Sequence, residues 1–214
     1  MIKSKKNMVL IGGGGHCKSC IDVIESLDKY HIIGILDLPS KLGDKILNYE
    51  VIGNDDDYLK YKNEGCSFLV TAGQIKSSKL RRTIFENLVA IHADIETIIS
   101  STATVSKYAK IGKGSVIMHH SVINTGAKIG ENSIINTKAI IEHDVSVGNH
   151  CHISTNVAVN GDSKIGNNTF IGSMSCISNN VKIGDNIVLG AGSIVISDCT
   201  NEGVYAGTPL KKLK

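Results

Sequence analysis

The spacing of apolar residues changes near residue 95 of this chain of 214 residues. In the first part, short apolar runs alternate with segments whose apolar residues recur at helical spacing. Such alternation indicates a small parallel sheet of the βαβ type. The predicted elements are strands at 8–11, 32–36, 51–52 and 68–71, a helix at 17–27, and a second helix with Leu80, Ile84 and Leu88 on one face.

In the second part, an aliphatic residue returns at every sixth position and the helical period is lost. The series runs without a break from residue 99 to residue 195. A period this regular is typical of a solenoid whose coils stack on one another. The series consists of Ile99, Val105, Ile111, Ile117, Ile123, Ile129, Ile135, Ile141, Val147, Ile153, Val159, Ile165, Ile171, Ile177, Ile183, Leu189 and Val195.

Glycine follows a longer period of eighteen residues, and the residue two places before each aliphatic is usually small. The economical geometry is a triangular prism of roughly five coils, each with three short parallel strands whose aliphatic side chains point inward. Glycine suits a corner where the backbone turns tightly or approaches a neighbour. The periodic glycines are Gly112, Gly130, Gly148, Gly166 and Gly184.

Composition narrows the classes of function. Hydrophobic residues make up 42% of the chain, which excludes a disordered protein. Aromatic residues make up only 4%, which argues against a base-stacking nucleic-acid platform. The net charge of +3 is too small for a binder of phosphate backbones. We therefore expect no nucleic-acid partner. Any anionic ligand must be bound by a few groups at its site rather than by the overall charge.

The N-terminal segment MIKSKKNMVLIGGGGH has an apolar run too short for a signal peptide or a membrane span. We therefore expect a cytoplasmic protein with no membrane partner, in which the six cysteines stay reduced. Cys17 and Cys20 form the one CxxC pair. Core packing is the favoured interpretation of this pair, and a redox or metal role is the alternative.

The segment IIEHDVSVGNHCHIS concentrates groups that can exchange protons or bind metal. It contains Glu142, His143, Asp144, His150 and His152. The spacing of the histidines is unlike a helical metal-binding pair, so we expect no metal. From the residues alone, a solvated turn position or a satisfied polar side chain remains open for each histidine.

The glycine run GGGGHC follows the first strand and opens the first helix. At such a place, backbone N–H groups and the helix dipole can hold a pyrophosphate. Cys17 occupies the third glycine position of a dinucleotide fingerprint, so NAD is disfavoured. Asp37, about twenty residues further on, is well placed for a ribose hydroxyl. The loop therefore favours a nucleotide sugar, with purely turn-forming glycines as the alternative.

The steps IGENSI, IGNNTF and IGDNIV resemble those of hexapeptide-repeat proteins, which fold as left-handed parallel β-helices. The left hand is implied by this resemblance and opposes the usual right-handed crossover. The order of parts is a glycine-rich βαβ start, coils containing I-E-H-D, a later histidine step and a final G-T-P-x-K. This order is similar to that of the bacterial amino-sugar acetyltransferases of the bacillosamine, perosamine and sialic or legionaminic acid pathways.

The resemblance covers nearly the whole chain and implies two domains. Residues 1–94 would form an α/β, half-Rossmann-like domain that binds a nucleotide sugar. Residues 95–214 would form an all-β left-handed parallel β-helix, the acetyltransferase domain, with a C-terminal tail. The chain departs from the resembling proteins at Leu210, where alanine is more usual.

The resemblance also implies roles for individual residues. His143 would be the general base, Asp144 would raise its basicity, and His152 would contact acetyl-CoA. The amide of Gly161 would face the developing oxyanion, with a plain turn glycine as the equal alternative. The further residues implied are Ser173, Ala191, Lys211 and Lys212 on acetyl-CoA, the lysines being otherwise a solvated tail, and Gly14, Gly15, His16, Asp37 and Gly73 on the nucleotide sugar.

The function implied is acetyl transfer from acetyl-CoA to the amine of a nucleotide-linked amino-dideoxy sugar, expected to be UDP-linked, in bacterial surface glycan biosynthesis. The enzyme would be a homotrimer that works without metal, with active sites between prisms. A neutral imidazole beside a carboxylate suits the deprotonation of an amine. A sialic-acid-type O-acetyltransferase is the alternative among enzymes, and a trimeric nucleotide-sugar-binding scaffold is the alternative outside them.

Overall fold

The structure is a computed structural model that describes residues 5–208 and 210–213. Residues 1–4, Pro209 and Lys214 lie outside the described residues, and with them part of the N-terminal basic cluster and of the C-terminal G-T-P-x-K motif. The N-terminal elements are β1 (Lys6–Ile11), α1 (Gly15–Leu27), β2 (Tyr30–Leu36), a 3-10 turn (Pro39–Lys41), β3 (Lys45–Ile46), β4 (Tyr49–Gly53), a second 3-10 turn (Asp55–Asp57), α2 (Tyr58–Asn63), β5 (Ser67–Val70) and α3 (Lys79–Ala90).

These strands form one sheet in the order β3-β4-β2-β1-β5. All neighbours are parallel except β3 and β4, which form an antiparallel edge hairpin. The predicted strands and helices are confirmed, although α1 begins at Gly15 rather than Cys17. The predicted second helix is α3, in which Ile84 and Leu88 are buried and Leu80 is 65% exposed. Leu80 lies in the first turn of α3, where it lines a cavity.

Beyond Ile95 the chain winds as a triangular prism of short strands joined by turns. The face that packs on the N-terminal domain, here the domain face, contains Ile98–Ile99, Val116–Ile117, Ile134–Ile135, His152–Ile153, Phe170–Ile171, Ile187–Leu189, Gly203–Ala206 and Lys211–Lys212. The second face, here the apolar face, contains Thr104–Val105, Val122–Ile123, Ile140–Ile141, Ala158–Val159, Cys176–Ile177 and Ile194–Val195. The third face, here the lysine face, contains Lys110–Ile111, Lys128–Ile129, Ser146–Val147, Lys164–Ile165 and Lys182–Ile183.

The inward aliphatic residues of the six-residue series form the core of the prism, as predicted. From Ile117 to Val195 every member of the series is buried. Ile99, Val105 and Ile111 are only partly buried, because they belong to the first coil and have a neighbouring coil on one side only. Stacking of similar coils therefore supplies most of the burial that drives this half of the fold.

The periodic glycines lie at the corner between the lysine face and the domain face. A Cβ on Gly112 would lie 2.6 Å from the carbonyl carbon of Gly130, and Gly130 is equally close to Gly148. These glycines have no positive φ, so close approach of the backbone, rather than a turn conformation, requires glycine here. The small residues form a parallel ladder: the Ser115 hydroxyl donates to the Gly130 carbonyl (2.7 Å) and accepts from the Ser133 amide (2.9 Å).

The domain face and the α/β sheet share a hydrophobic cluster. Ile98, Val116 and Met118 of the prism pack with Met8 and Leu10 of β1. The fully buried Cys17 and Cys20 belong to the same cluster, so the core-packing interpretation of the CxxC pair agrees with the structure. Burial raises the pKa of the Cys17 thiol to about 11, which keeps it protonated.

Candidate active site

His143 and Asp144 lie together at the corner between the apolar face and the lysine face. The His143 Nδ1 is 3.1 Å from the Asp144 Oδ2, and both side chains are more than half exposed. Because a carboxylate only accepts hydrogen bonds, the proton of a neutral His143 ring is on Nδ1. The Nε2 lone pair is then free, which is the state that a general base needs.

The surroundings of His143 favour its protonated form. The hydrogen bond with Asp144 is the largest cause, and the charges of Asp144, Asp162 and Glu142 add to it, while slight burial acts in the opposite direction. The pKa of His143 is therefore raised above its ordinary value of 6.5. An imidazole with this raised pKa is a stronger base than an isolated one.

Gly161 lies directly beside the His143 ring, one coil further along the chain. A Cβ on Gly161 would be 2.5 Å from His143 Nε2 and 2.6 Å from Cε1. Glycine at this position therefore leaves room for the imidazole. Among the described residues, the Gly161 N–H has no hydrogen-bond acceptor. The structure agrees with both predicted roles of Gly161, as an amide for the oxyanion and as a turn glycine. The space needed by the His143 ring is a further reason why position 161 is a glycine.

His152 lies on the domain face, and so on a different side of the prism from His143. It is 7% exposed, with Nδ1 at 2.6 Å from the Gln74 carbonyl oxygen and Nε2 at 3.1 Å from the Asn136 side-chain nitrogen. A carbonyl only accepts, so Nδ1 carries the proton and Nε2 accepts from Asn136. Burial lowers the pKa of His152 to about 4, so the ring is neutral at physiological pH.

Two of the residues predicted to contact acetyl-CoA line one cavity of about 620 Å³. This cavity, here the side groove, lies along the corner between the domain face and the apolar face. Ser173 and Ala191 form its prism wall with Phe170, and the lining is largely apolar. The edge of the Phe170 ring packs on His152, with the ring centroids 5.2 Å apart. The lining is completed by Ile75 and Lys76 of the N-terminal domain and by Val204 and Leu213 near the end of the prism.

The predicted phosphate ligands lie outside the side groove. Lys211 is exposed in the last strand of the domain face. Lys212 lines a separate cavity at the end of the prism, with its ammonium 5.7 Å from the centre of the Tyr205 ring. The structure therefore places Leu213, rather than the lysines, in the groove lining.

Three of the residues predicted to bind the nucleotide sugar line a second cavity, of about 490 Å³. This cavity, here the loop cavity, is bounded by Gly14, Asp37 and Gly73. Gly14 is the N-cap of α1, and no side chain caps this end of the helix. The first amides of α1 are thus available to an anion at the positive end of the helix dipole.

Asp37 organises the glycine loop from the end of β2. Its carboxylate accepts from the Gly13 amide (2.7 Å), the Leu38 amide (2.7 Å) and the Lys41 ammonium (2.9 Å). Burial alone would raise the pKa of Asp37, but these three donors outweigh burial and the pKa is lowered. Asp37 is therefore ionised, and its Oδ1 keeps one lone pair for a further donor.

Gly15 and His16 begin α1 but do not line the loop cavity. His16 instead faces the prism, with its ring centre 6.4 Å from that of His152. Burial lowers the pKa of His16 to about 3, and its Nε2 lies 3.4 Å from the Cys20 sulfur. His16 thus links the glycine loop to the junction between the domains.

Arg81 is an important residue that the sequence analysis missed. It is fully buried and donates to the carbonyls of Val70 (2.6 Å) and Ala72 (2.9 Å) and, across the domain junction, of Asn132 (3.1 Å). Burial lowers its pKa to about 10, so it remains charged. Nothing in the spacing of charges along α3 distinguishes Arg81 from its partly exposed neighbour Arg82. Within the described residues, no group of three metal-binding side chains is present, and no helix is long and apolar enough to cross a membrane.

Two family models match this chain. Residues 7–88 match the PglD N-terminal domain, and residues 162–197 match the bacterial transferase hexapeptide model of six repeats. A comparison with curated protein sequences gave no match. An α/β domain followed by a left-handed parallel β-helix with these repeats defines a hexapeptide-repeat acetyltransferase.

Several solved structures match this chain over nearly its full length. The acetyltransferase domain of PglB from Neisseria gonorrhoeae FA1090, in complex with acetyl coenzyme A, is 28% identical, with a TM-score of 0.90 over 98% of this chain and 100% of that one. A variant of perosamine N-acetyltransferase from Caulobacter crescentus, in complex with CoA and GDP-perosamine, is 27% identical, with a TM-score of 0.91 over 99% and 98%. WeeI from Acinetobacter baumannii AYE shares the fold at 16% identity, with a TM-score of 0.73 over 98% and 100%. These family-model and structural matches confirm the resemblance of this chain to the hexapeptide-repeat sugar acetyltransferases.

Proposed function

We propose that this acetyltransferase moves an acetyl group from acetyl-CoA to the amine of a nucleotide-linked amino-dideoxy sugar. The observation that carries the proposal is a cavity at an uncapped helix N-terminus together with a His143 imidazole whose Nε2 is free. The complexes of the PglB domain with acetyl coenzyme A and of the Caulobacter enzyme with CoA and GDP-perosamine support both ligands. The proposal includes a cytoplasmic location, since acetyl-CoA is available there.

The nucleotide has two candidates. UDP follows from the family resemblance of the sequence, and GDP is favoured by the GDP-perosamine complex of the Caulobacter enzyme. The loop cavity offers hydrogen-bond acceptors at Asn54, Asp55 and Asp56, which suit N–H donors on either base. The substrate panel described below is designed to distinguish the two.

In the proposed reaction His143 is the base. The amine nitrogen of the sugar attacks the thioester carbonyl, and Nε2 takes one N–H proton as the carbon–nitrogen bond forms. The carbon–sulfur bond then breaks, and CoA leaves as a thiol after it receives this proton from the His143 imidazolium. The Gly161 N–H is the candidate donor to the oxyanion. General-base assistance of this kind is worth roughly 10²–10⁴-fold in rate.

The parts of this site lie on different corners of one prism, which supports assembly between copies. His143 is at the corner of the apolar and lysine faces, and Ser173 and Ala191 are at the corner of the domain and apolar faces. A thioester in the side groove therefore meets the His143 of a second copy. A homotrimer brings each groove to a neighbouring imidazole with one repeated interface.

The apolar face has the composition of such an interface. Its outward positions from Val122 onward are Val122, Ile140, Ala158, Cys176 and Ile194, in contrast to the lysines of the lysine face. Ile140 is 37% exposed and Ile194 is 43% exposed in the single chain. An exposed apolar stripe of this kind is typical of a surface that another chain covers.

The test is a substrate panel with acetyl-CoA that measures released thiol. Amino-dideoxy sugars linked to UDP or to GDP are compared with sialic acid and CMP-sialic acid, which offer hydroxyl acceptors. We expect release with an amino sugar, a solution mass of three times 22.8 kDa, and a loss of about 10²–10⁴-fold in turnover for His143→Ala. His31→Ala, at an exposed histidine far from the site, is the matched control. Wild-type turnover in His143→Ala, or ligand binding without any transfer, would contradict the proposal.

A further inference from the structure

One short segment forms part of the wall of both cavities. Ala72 and Gly73 line the loop cavity, and Ile75 and Lys76 line the side groove. Gln74, between these pairs, lines neither cavity and is 3% exposed. Gln74 is therefore the residue through which this segment connects the two cavities along the chain.

Gln74 holds this segment to the prism through two hydrogen bonds. Its main-chain carbonyl accepts from His152 Nδ1 (2.6 Å), and its side-chain nitrogen donates to the His150 carbonyl (2.8 Å). His152 in turn packs on Phe170, which lines the side groove. The position of Gln74 is therefore coupled to the groove wall on the prism side.

The other end of the segment is held to the α/β domain. The Ala72 amide donates to the Ile11 carbonyl (3.0 Å), and the Ala72 carbonyl accepts from Arg81 (2.9 Å). Gly73 lies against His16, since a Cβ on Gly73 would be 3.3 Å from the His16 Cβ. The segment thus bridges the glycine loop and the prism.

The side-chain oxygen of Gln74 is buried, and among the described residues it has no hydrogen-bond partner. An unsatisfied buried acceptor lowers stability, and in native proteins such a group calls for an explanation. The side chain therefore satisfies one partner, the His150 carbonyl, and leaves its own oxygen unsatisfied. A buried amide that is only half satisfied is a poor source of stability, which favours a role in positioning the segment.

We propose that Gln74 is a positioning residue that couples the two cavities, so that a nucleotide in the loop cavity strengthens the binding of CoA in the side groove. This inference rests on the proposed function. A ligand that fixes the segment 72–76 removes that ordering cost for the second ligand, which gives positive coupling. Thermodynamic linkage requires the same factor in both directions.

The test is calorimetric titration of the full-length protein with CoA alone, with UDP or GDP alone, and with each ligand when the other is saturating. We expect the affinity for CoA to rise about fivefold or more when the nucleotide is bound, with the same factor in the reverse titration. Gln74→Met keeps the side-chain length and the main-chain bond to His152 but removes the bond to His150. We expect this variant to bind each ligand separately within about threefold of the wild type, with a coupling factor near one.

Two further variants make the test specific. Ser77→Ala, an exposed neighbour in the same loop that lines neither cavity, should keep the wild-type factor. Gln74→Asn, whose amide is too short to reach the His150 carbonyl, should lose the factor as Gln74→Met does. Independent binding of the two ligands in the wild type, or an unchanged factor in both Gln74 variants, would overturn the coupling and leave the proposed function intact. A protein that binds only one ligand, or neither, would contradict the proposed function and the coupling with it.

Discussion

Replacing Gly161 with alanine tests whether the position of the His143 ring determines the rate. The added Cβ would lie 2.5 Å from Nε2, whereas ordinary van der Waals contact begins at 3.4 Å. The ring must therefore move by about 1 Å, and a displacement of this size at a reacting group costs about 10²-fold in rate. That factor corresponds to about 2.7 kcal/mol of transition-state stabilisation.

The cost should fall on turnover rather than on stability. The His143 side chain is 53% exposed, so the ring can swing outward without disturbing the core. Gly161 has no positive φ, so alanine adds no backbone strain. We therefore expect a change of less than about 0.5 kcal/mol in the free energy of unfolding.

The assay compares turnover and thermal unfolding of Gly161→Ala with those of Asn179→Ala. Residue 179 occupies the same place one coil further along and is exposed, so its substitution should leave both measurements at wild-type values. The reasoning is refuted if Gly161→Ala keeps turnover within about threefold of the wild type, because the ring would then not be held where the structure places it.

Three further predictions concern the charged groups. The value of kcat/KM should fall as the pH drops through the raised pKa of His143. Asp144→Asn should move the midpoint of this profile to lower pH, and an unchanged midpoint would show that the carboxylate does not act on the ring. Arg81→Met should lower the free energy of unfolding in urea by about 3 kcal/mol or more, because the buried carbonyls lose their donor. The control Arg82→Met should change it by less than about 0.5 kcal/mol, and equal effects would contradict the role assigned to Arg81. The pKa of His152 is about 4 in the fold and 6.5 in the unfolded chain, so its contribution to stability is complete above pH 6.5 and is lost as the pH falls toward 4. His16, whose pKa is lowered to about 3, adds a loss of its own over the same range. Between pH 7 and pH 5 the free energy of unfolding in urea should therefore fall by about 2 kcal/mol more in the wild type than in His152→Gln, and equal losses would contradict this source.

The prism could be predicted because its physical constraint repeats with the sequence. Each strand places one aliphatic side chain inside, so residues such as Ile135 and Ile153 are fixed by the same requirement as their neighbours. The glycine period was equally visible, although it did not reveal which property of glycine is used. The structure answers that question: Gly112 and Gly130 lie too close together for a Cβ.

The junction between the domains could not be predicted in this way. Arg81 bonds to a carbonyl 51 residues away, and Gln74 bonds to a histidine 78 residues away. A single contact between residues so far apart in the chain produces no repeating pattern in the sequence. The groups that these side chains contact are backbone carbonyls, which every residue carries. For the same reason the sequence did not indicate that both ring nitrogens of His152 are engaged within the chain. Its contact with acetyl-CoA stays a prediction.

The acid beside the base also follows from the shape of the corner. Asp144 has φ of 60°, in the left-handed region that glycine, asparagine and aspartate tolerate best. The equivalent residues one coil before and one coil after are Gly126 and Asp162, which are also left-handed. Of the residues suited to this turn, only aspartate brings a carboxylate to the Nδ1 of the preceding histidine.

Each member of the pair also has a glycine in an adjacent coil. Gly126 leaves room for the Asp144 carboxylate, and Gly161 leaves room for the His143 ring. Neither glycine belongs to the eighteen-residue ladder that stacks the coils, so neither serves that repeat. Other glycines outside that ladder, such as Gly114 and Gly192, lie away from the pair, so such a glycine marks a site only where it makes room for a chemical group. Gly126 and Gly161 both make room for the residues that we propose carry the chemistry.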